Sequence, residues 1–195
     1  MTKVIWVDLD EVLAELLDLI LEYNNYKIWN YSLNKNDIKY YYIHKMDNLD
    51  ISLEEAISWF RKPMLEDINN FEIKPTVWSF EKLKEFKNKW YKLLVITARI
   101  EEIFWDYTKK WIGKYFPETF DDIIFANHFH EKHKDKSEIC NDLWVNYMIE
   151  DNFDYALDVA NAWIKTYLLE KPWNSHILDK HENIVRFNSW PDLDI

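Results

Sequence analysis

The feature that most constrains this chain is a regular alternation of short apolar runs with longer amphipathic stretches. Apolar runs of strand length are typical of buried strands, and apolar residues at helical spacing are typical of amphipathic helices. Strand–helix alternation implies right-handed crossovers, so the sequence predicts an α/β fold, a Rossmann-like parallel sheet with helices on both faces. The predicted helices lie at 79–88, 101–115, 136–143 and 153–162, and the predicted strands that follow them lie at 92–96, 123–126, 147–149 and 164–169.

The N-terminal part departs from this rhythm. An apolar run at 3–7 predicts the first strand, but about 65 residues separate it from the next regular helix, which is too long for a simple crossover. Residues 11–24 and 53–62 have apolar residues at helical spacing, and Ser52 with Glu55 forms a possible capping box. We therefore expect residues 15–74 to form a small helical cap inserted after the first strand. The core would then comprise residues 1–14 and 75–195, with a short edge strand at 184–190.

Composition excludes several classes of protein. The chain has 195 residues and a net charge of −11, which argues against a protein that coats a nucleic-acid polymer or an anionic membrane. A single cysteine, Cys140, excludes an internal disulfide framework and a cysteine zinc cluster. No apolar run approaches the roughly 18 residues of a membrane span, and the N-terminal residues lack a signal-peptide pattern. We expect a cytoplasmic protein without a membrane partner.

Acidic residues follow two of the predicted strands. Asp8 and Asp10 come directly after the first strand, and Glu150 and Asp151 follow the strand at 147–149. Because ligands of open α/β sheets gather at the carboxyl ends of the strands, these acids should meet in one place. Four carboxylates together are electrostatically costly without a cation, and hard oxygen ligands suit Mg²⁺. The pattern predicts a magnesium site.

A phosphate cradle is predicted beside it. Directly after the predicted strand at 92–96 come Thr97, Ala98 and Arg99. A hydroxyl followed by the N–H groups at a helix start can donate hydrogen bonds to a phosphoryl oxygen. Lys136, at the start of the helix leading to Glu150, could supply a positive charge. Lys134 is an alternative for the same role.

The segments VDLDEVL, VITAR, KDKSEIC and IEDN together resemble the haloacid dehalogenase superfamily of phosphohydrolases. Within it, DLDEVLAE and the tail LLEKPWN…VRFNSW resemble the 5'(3')-deoxyribonucleotidase-like group. This resemblance implies that Asp8 is the nucleophile and Asp10 the general acid and base. It implies that Asp8, the backbone carbonyl of Asp10 and Asp151 hold Mg²⁺, with Glu150 and Arg99 in support, and that Thr97, Ala98 and Lys136 bind phosphate. Glu11 departs from the pattern, since many relatives have glycine there.

The resemblance also implies a substrate. Cap aromatics of the similar nucleotidases stack on a nucleotide base, and Trp29 and Tyr41 are the candidates here. We therefore expect a magnesium-dependent phosphomonoesterase that acts through an aspartyl phosphate on (deoxy)nucleoside monophosphates. A phosphatase of sugar phosphates or other small metabolites, and a non-catalytic binding protein of the same fold, are the alternatives. The sequence leaves the oligomeric state open.

Glycine is nearly absent from the sequence. Gly113 is its single glycine, where ordinary usage would give roughly fourteen, whereas there are 11 tryptophans. Trp90, Trp144 and Trp163 occupy helix-to-strand junctions, where a left-handed residue, usually glycine, is commonly needed. Trp78, before a helix start, also stands where the similar family often has glycine. Our hypothesis is that these four residues are glycines in the native organism, encoded by UGA and read here as tryptophan.

Overall fold

A six-stranded parallel sheet forms the centre of the protein. The structure, a computed structural model, describes residues 2–27, 33–66 and 72–195. Neighbouring strands follow the order β3-β2-β1-β4-β5-β6, and every pair is parallel. This confirms the predicted fold class and the edge strand near the C-terminus. The strands are β1 (Val4–Val7), β2 (Lys92–Thr97), β3 (Asp122–Phe125), β4 (Tyr147–Glu150), β5 (Lys165–Leu169) and β6 (Ile184–Phe187).

The helices of the C-terminal part lie where the periodicity predicts them, within one or two residues. Short 3-10 helices occupy Lys35–Asp37, Ile43–Lys45 and Trp190–Asp192. The α-helices are α1 (Leu16–Lys27), α2 (Leu53–Glu66), α3 (Ser79–Asn88), α4 (Glu101–Tyr115), α5 (Lys136–Asp142) and α6 (Phe153–Asn161).

Helices cover both faces of the sheet because side chains alternate along each strand. Ile5 and Val7 of β1 belong to the core cluster that includes Leu83 of α3 and Phe104 of α4. Trp6, between them, belongs to a second cluster with residues of α5 and α6. The first strand is therefore buried on both sides, and its carboxyl end is fixed within the sheet.

Helix α1 begins later than its apolar periodicity predicts. Val12, Leu13 and Ala14 are fully buried but lie in a turn, and α1 begins only at Leu16. The turn follows Glu11, whose φ of 65° is left-handed, and Ala14 forms a β-bridge with Pro75. The prediction of a helix from residue 11 is wrong. The buried apolar residues of this turn have the same sequence spacing as the buried face of a helix, so the pattern could not distinguish the two.

Between Ala14 and Pro75, the described residues are mainly helical. The predicted capping box opens α2: the Glu55 N–H donates to Ser52 Oγ (3.2 Å), and the Ser52 N–H donates to Glu55 Oε2 (2.8 Å). The helix runs four residues further than predicted, to Glu66. Trp29, a predicted substrate contact, lies outside the described residues.

The four unusual tryptophans share one backbone conformation. Trp78, Trp90, Trp144 and Trp163 have φ between 54° and 67°, the left-handed region that favours glycine. Their side chains are 58%, 85%, 84% and 81% exposed, respectively. The left-handed geometry expected at the three helix-to-strand junctions is therefore present, and Trp78, before α3, also has it. Within the described ranges, no helix is both long and apolar enough for a bilayer span.

Candidate active site

The carboxyl ends of three neighbouring strands bring the predicted site residues together. β1 lies between β2 and β4, and Val7 pairs with Val95 on one side and Ile149 on the other. The Asp8 N–H donates to the Ile149 carbonyl (3.0 Å), which holds the first acid beside the end of β4. Thr97 ends β2, and Glu150 ends β4. Parallel pairing thus places residues nearly 150 positions apart at one edge of the sheet.

Asp8, Glu150 and Asp151 form a buried acidic cluster. Each offers a carboxylate oxygen within 4.8 Å of the others, and the three residues are at most 5% exposed. Burial and the charge of Glu150 raise the pKa of Asp8 well above its usual value. Burial, Glu150 and Asp8 likewise raise the pKa of Asp151. Three carboxylates that repel one another in a buried space fit a hard divalent cation, so the donor set suits Mg²⁺.

Lys136 is the cation that faces this cluster. Its Nζ donates to Asp8 Oδ1 (2.6 Å) and to Glu150 Oε2 (2.7 Å), and the residue is 4% exposed. These two carboxylates raise the pKa of Lys136 despite its burial, which alone would lower it. Lys134, the alternative raised by the sequence, is exposed. Only Lys136 of this pair is positioned to neutralise charge next to Asp8.

Glu150 supports the cluster through the backbone. Its Oε1 accepts hydrogen bonds from the N–H groups of Asp151 (3.2 Å) and Asn152 (3.1 Å), while Oε2 accepts from Lys136. The carboxylate thereby fixes the turn that follows β4 and the side chain of Lys136 together.

Asp10 points to a different partner from Asp8. Arg99 Nη2 donates to Asp10 Oδ1 (2.6 Å), and Arg99 Nε donates to Asp10 Oδ2 (3.0 Å). Arg99 Nη1 donates to Thr108 Oγ1 of α4 (3.0 Å), which fixes the guanidinium from behind. A bidentate, charge-assisted pair of this kind sets the orientation of the carboxylate as well as its charge environment. The two aspartates of the first motif are therefore held by two different cations.

The residues predicted to form a phosphate cradle are fixed by local hydrogen bonds at the end of β2. The Arg99 N–H donates to Thr97 Oγ1 (3.2 Å), so the Thr97 hydroxyl proton is available to donate elsewhere. The Ala98 carbonyl accepts from the His128 N–H (2.9 Å), which fixes the peptide that follows Thr97. Thr97 is fully buried at the end of β2, which lies beside β1, the strand that immediately precedes Asp8.

Trp173 and Asn174 contact the acidic cluster without having been assigned a role from the sequence. Trp173 Nε1 donates to Asp151 Oδ2 (2.8 Å), and Asn174 Nδ2 donates to the Asp151 carbonyl (2.6 Å). The segment LLEKPWN is the signal that could have pointed to them. A sequence motif does not show which distant side chain it touches, however.

A cavity that is partly open to solvent borders Asp10, two residues from Asp8. Asp10 and Arg99 line one part of it, and the aromatic side chains of Tyr41, Tyr42 and Phe60, from the segment between β1 and α3, line another. His128 and Phe129, stacked with ring centroids 4.0 Å apart, add a flat surface. Tyr41, predicted as a substrate contact, thus borders the same space as Asp10.

Comparisons with known proteins agree with the fold. No protein-family model matches the chain. A nucleotidase of Clostridium acetobutylicum is 28% identical over 193 residues, which cover 97% of this chain and 90% of that protein.

Solved structures share the architecture. CbbY of Rhodobacter sphaeroides has been solved with phosphate (TM-score 0.61, 16% identity, 98% of this chain and 96% of that one). A mutant of CbbY has been solved with xylulose-(1,5)bisphosphate (TM-score 0.63, 15% identity, 99% and 96%). A haloacid dehalogenase hydrolase of Entamoeba histolytica has a TM-score of 0.63 at 17% identity, over 100% and 96% of the two chains. These likenesses show that the chain has the fold of the haloacid dehalogenase-like hydrolases.

Proposed function

We propose that the protein is a magnesium-dependent phosphomonoesterase that hydrolyses nucleoside monophosphates through a phosphorylated Asp8. The observation that carries this proposal is the arrangement of two aspartates from one strand end. Asp8 is buried against Lys136, and Asp10 is held two residues away by Arg99. One carboxylate is thereby kept next to positive charge for attack, and the other is kept in a fixed position for proton transfer.

In the first step, a carboxylate oxygen of Asp8 attacks the phosphorus and the bond to the ester oxygen breaks. Within the described residues, Asp8 Oδ2 accepts no hydrogen bond, which leaves it free for this attack, while Oδ1 is held by Lys136. Asp10 donates a proton to the leaving alcohol. The Thr97 hydroxyl and Lys136 stabilise negative charge on the phosphoryl oxygens, which is the main requirement of phosphoryl transfer.

In the second step, Asp10 accepts a proton from a water molecule, which attacks the phosphorus of the aspartyl phosphate. The bond between Asp8 and phosphorus breaks, inorganic phosphate leaves and the Asp8 carboxylate is restored. Arg99 keeps Asp10 in one place through both steps, so the same group can serve as acid and then as base.

Asp8, Asp151 and the Asp10 carbonyl are the proposed ligands of Mg²⁺, with Glu150 in support. When bound, the ion would neutralise charge between the attacking carboxylate and the anionic ester. The fit rests on the buried acidic cluster, which has one lysine for three carboxylates.

The aromatic lining supports a nucleotide as substrate. We propose residues 15–74 as a cap that supplies Tyr41, Tyr42 and Phe60 to the cavity above Asp10. A nucleobase is flat and apolar, and stacking on aromatic side chains contributes about 1–3 kcal/mol per base. The Clostridium acetobutylicum relative is named a nucleotidase, which agrees with this choice.

A sugar phosphate is the second candidate. CbbY, which shares the architecture, has been solved with a sugar bisphosphate. A sugar would be recognised by hydrogen bonds to its hydroxyl groups, whereas the cavity is lined mainly by apolar side chains. The lining therefore favours the nucleotide.

Phosphate release from a panel of nucleoside monophosphates and sugar phosphates tests the proposal. We expect the highest kcat/KM for a nucleotide, loss of activity with EDTA and recovery with Mg²⁺. Asp8→Asn should abolish activity and the acid-stable phosphorylated enzyme, whereas Asp106→Asn, an exposed control on α4, should retain both. Activity that survives Asp8→Asn would refute the nucleophile, and a preference for sugar phosphates would refute the substrate class.

A further inference from the structure

The loop that follows β5 reaches back to the acidic cluster and holds Asp151 at two points. Trp173, 4% exposed, donates its indole N–H to Asp151 Oδ2, and Asn174 donates to the Asp151 carbonyl. Asn174 Nδ2 also donates to the Leu169 carbonyl (2.8 Å), which ties the contact to the end of β5. Both the side chain and the peptide of Asp151 are thus positioned by the loop that follows β5.

The chemistry of the donor is important here. An indole N–H is a neutral donor, so it fixes one carboxylate oxygen without cancelling the negative charge. Lys136 instead forms ion pairs with Asp8 and Glu150, and no ion pair of Asp151 occurs within 4.0 Å among the described residues. Asp151 Oδ1 accepts no hydrogen bond in the same part of the chain. Asp151 is therefore oriented by Trp173 with its charge and one oxygen left for a cation.

We propose that Trp173 is a positioning residue for Asp151 and sets the affinity of the site for Mg²⁺. This inference rests on the proposed function, because it takes the acidic cluster as the magnesium site. Groups that hydrogen-bond to metal ligands typically change metal affinity by about 10- to 100-fold when they are removed. Trp173 is such a group, and it lies 22 positions after Asp151 in the sequence.

The test compares Trp173→Phe with Trp190→Phe. Each variant keeps a buried aromatic ring and loses an indole N–H, but the Trp190 N–H donates to the Val12 carbonyl (3.2 Å), outside the acidic cluster. Mg²⁺ binding is measured by titration calorimetry and by the rise in melting temperature, without substrate. We expect roughly 10- to 100-fold weaker Mg²⁺ binding for Trp173→Phe and unchanged binding for Trp190→Phe.

Asn174→Ala, which frees the Asp151 peptide, provides a second variant if Trp173→Phe does not fold, and should also weaken Mg²⁺ binding. Wild-type affinity in the folded Trp173→Phe variant would overturn the role of Trp173. An equal loss in Trp190→Phe would show a merely structural effect and would overturn it too. Wild-type protein that binds no Mg²⁺ would instead refute the proposed metal site.

A separate observation concerns the four tryptophans with positive φ. Trp111, Trp173 and Trp190 have buried rings whose indole N–H groups donate hydrogen bonds. Residues 78, 90, 144 and 163 have none of these features: their rings are 58–85% exposed and donate no hydrogen bond within the described ranges. These seven tryptophans therefore divide into a group whose rings are buried and hydrogen-bonded and a group in which only the backbone has a role.

The backbone role is one for glycine. At 90, 144 and 163 the residue follows a helix and redirects the chain into a strand; the Trp90 N–H donates to the Lys87 carbonyl (2.9 Å) and the Trp144 N–H to the Asn141 carbonyl (3.2 Å). The left-handed conformation is disfavoured by roughly five- to thirtyfold for a residue with a Cβ. We infer that residues 78, 90, 144 and 163 are glycines in the protein made by the native organism, which reads UGA as glycine.

The gene tests this inference directly. We expect UGA codons at 78, 90, 144 and 163 and UGG codons at 111, 173 and 190, and peptide masses of the native protein should show glycine at the first four. UGG at any of the four would overturn the assignment at that position.

Substitutions test the physical basis. Trp90→Gly and Trp163→Gly should each raise the folding equilibrium constant by roughly five- to thirtyfold, whereas Trp90→Ala and Trp163→Ala, which keep a Cβ, should give a smaller gain. If the alanine and glycine variants gained equally in the folding equilibrium constant, the effect would come from loss of the exposed ring, and the backbone argument would be overturned.

Discussion

Arg99 binds both carboxylate oxygens of Asp10, with Nη2 2.6 Å from Oδ1 and Nε 3.0 Å from Oδ2. The Arg99 side chain is 4% exposed, and its third guanidinium nitrogen, Nη1, donates to Thr108 Oγ1. The proposed reaction needs Asp10 to return to one position in each of its two steps, and the contact with Arg99 fixes that position.

Arg99→Lys should lower kcat more than it raises KM. Lysine keeps a positive charge but cannot form the bidentate contact, so Asp10 would adopt several orientations. We expect a loss in kcat of about 10- to 100-fold, part of the 10²- to 10⁴-fold that general acid–base catalysis typically contributes. Steady-state kinetics would measure it. Arg186→Lys, whose partner is Glu170 at the sheet edge, should have little effect on kcat. Unchanged kcat in Arg99→Lys would contradict the role of the pair.

Lys136→Met should reduce both stability and activity. It removes the charge that faces Asp8 and Glu150, and breaking a buried ion pair typically costs about 3–5 kcal/mol. Urea unfolding in EDTA would measure the loss of stability, and phosphate release would measure activity. Lys134→Met, in the exposed lysine two residues earlier, is the matched control and should leave both unchanged. The assignment is wrong if the control has the larger effect.

Mg²⁺ should stabilise the protein more at high pH than at low pH. The pKa values of Asp8 and Asp151 are raised by burial and mutual repulsion, so the metal-free folded state holds protons that the unfolded state has released. Their contribution to stability is therefore fully present below their unfolded pKa values and is lost as the pH rises through the folded values. Melting temperatures in EDTA from about pH 5 to about pH 8 should fall, and Mg²⁺ should oppose that fall. Equal Mg²⁺ stabilisation across the range would contradict this prediction.

Phe60→Ala should raise KM for nucleotides and spare kcat. Phe60 lines the cavity from α2, and loss of one stacking surface worth about 1–3 kcal/mol corresponds to roughly 5- to 150-fold in KM. Leu65→Ala, on the same helix but 50% exposed and outside the cavity lining, should leave KM unchanged. An equal loss of activity toward a small phosphate ester without a base would count against stacking.

Much of this protein can be predicted from its sequence because the relevant physics is local. Apolar periodicity predicts the strands and the C-terminal helices, and parallel pairing then brings Asp8, Thr97 and Asp151 to one edge. The left-handed junctions at Trp90, Trp144 and Trp163 follow from the same helix-to-strand order.

Tertiary structure alone decides which side chains meet. Packing selects Lys136 over Lys134, turns Asp10 towards Arg99 and brings Trp173 to Asp151. It also determines that α1 begins at Leu16, because residues 12–14, whose apolar residues fit helical spacing, are buried before the helix starts. Such contacts depend on directions in space between distant segments, and the periodicity of a single segment carries no information about them.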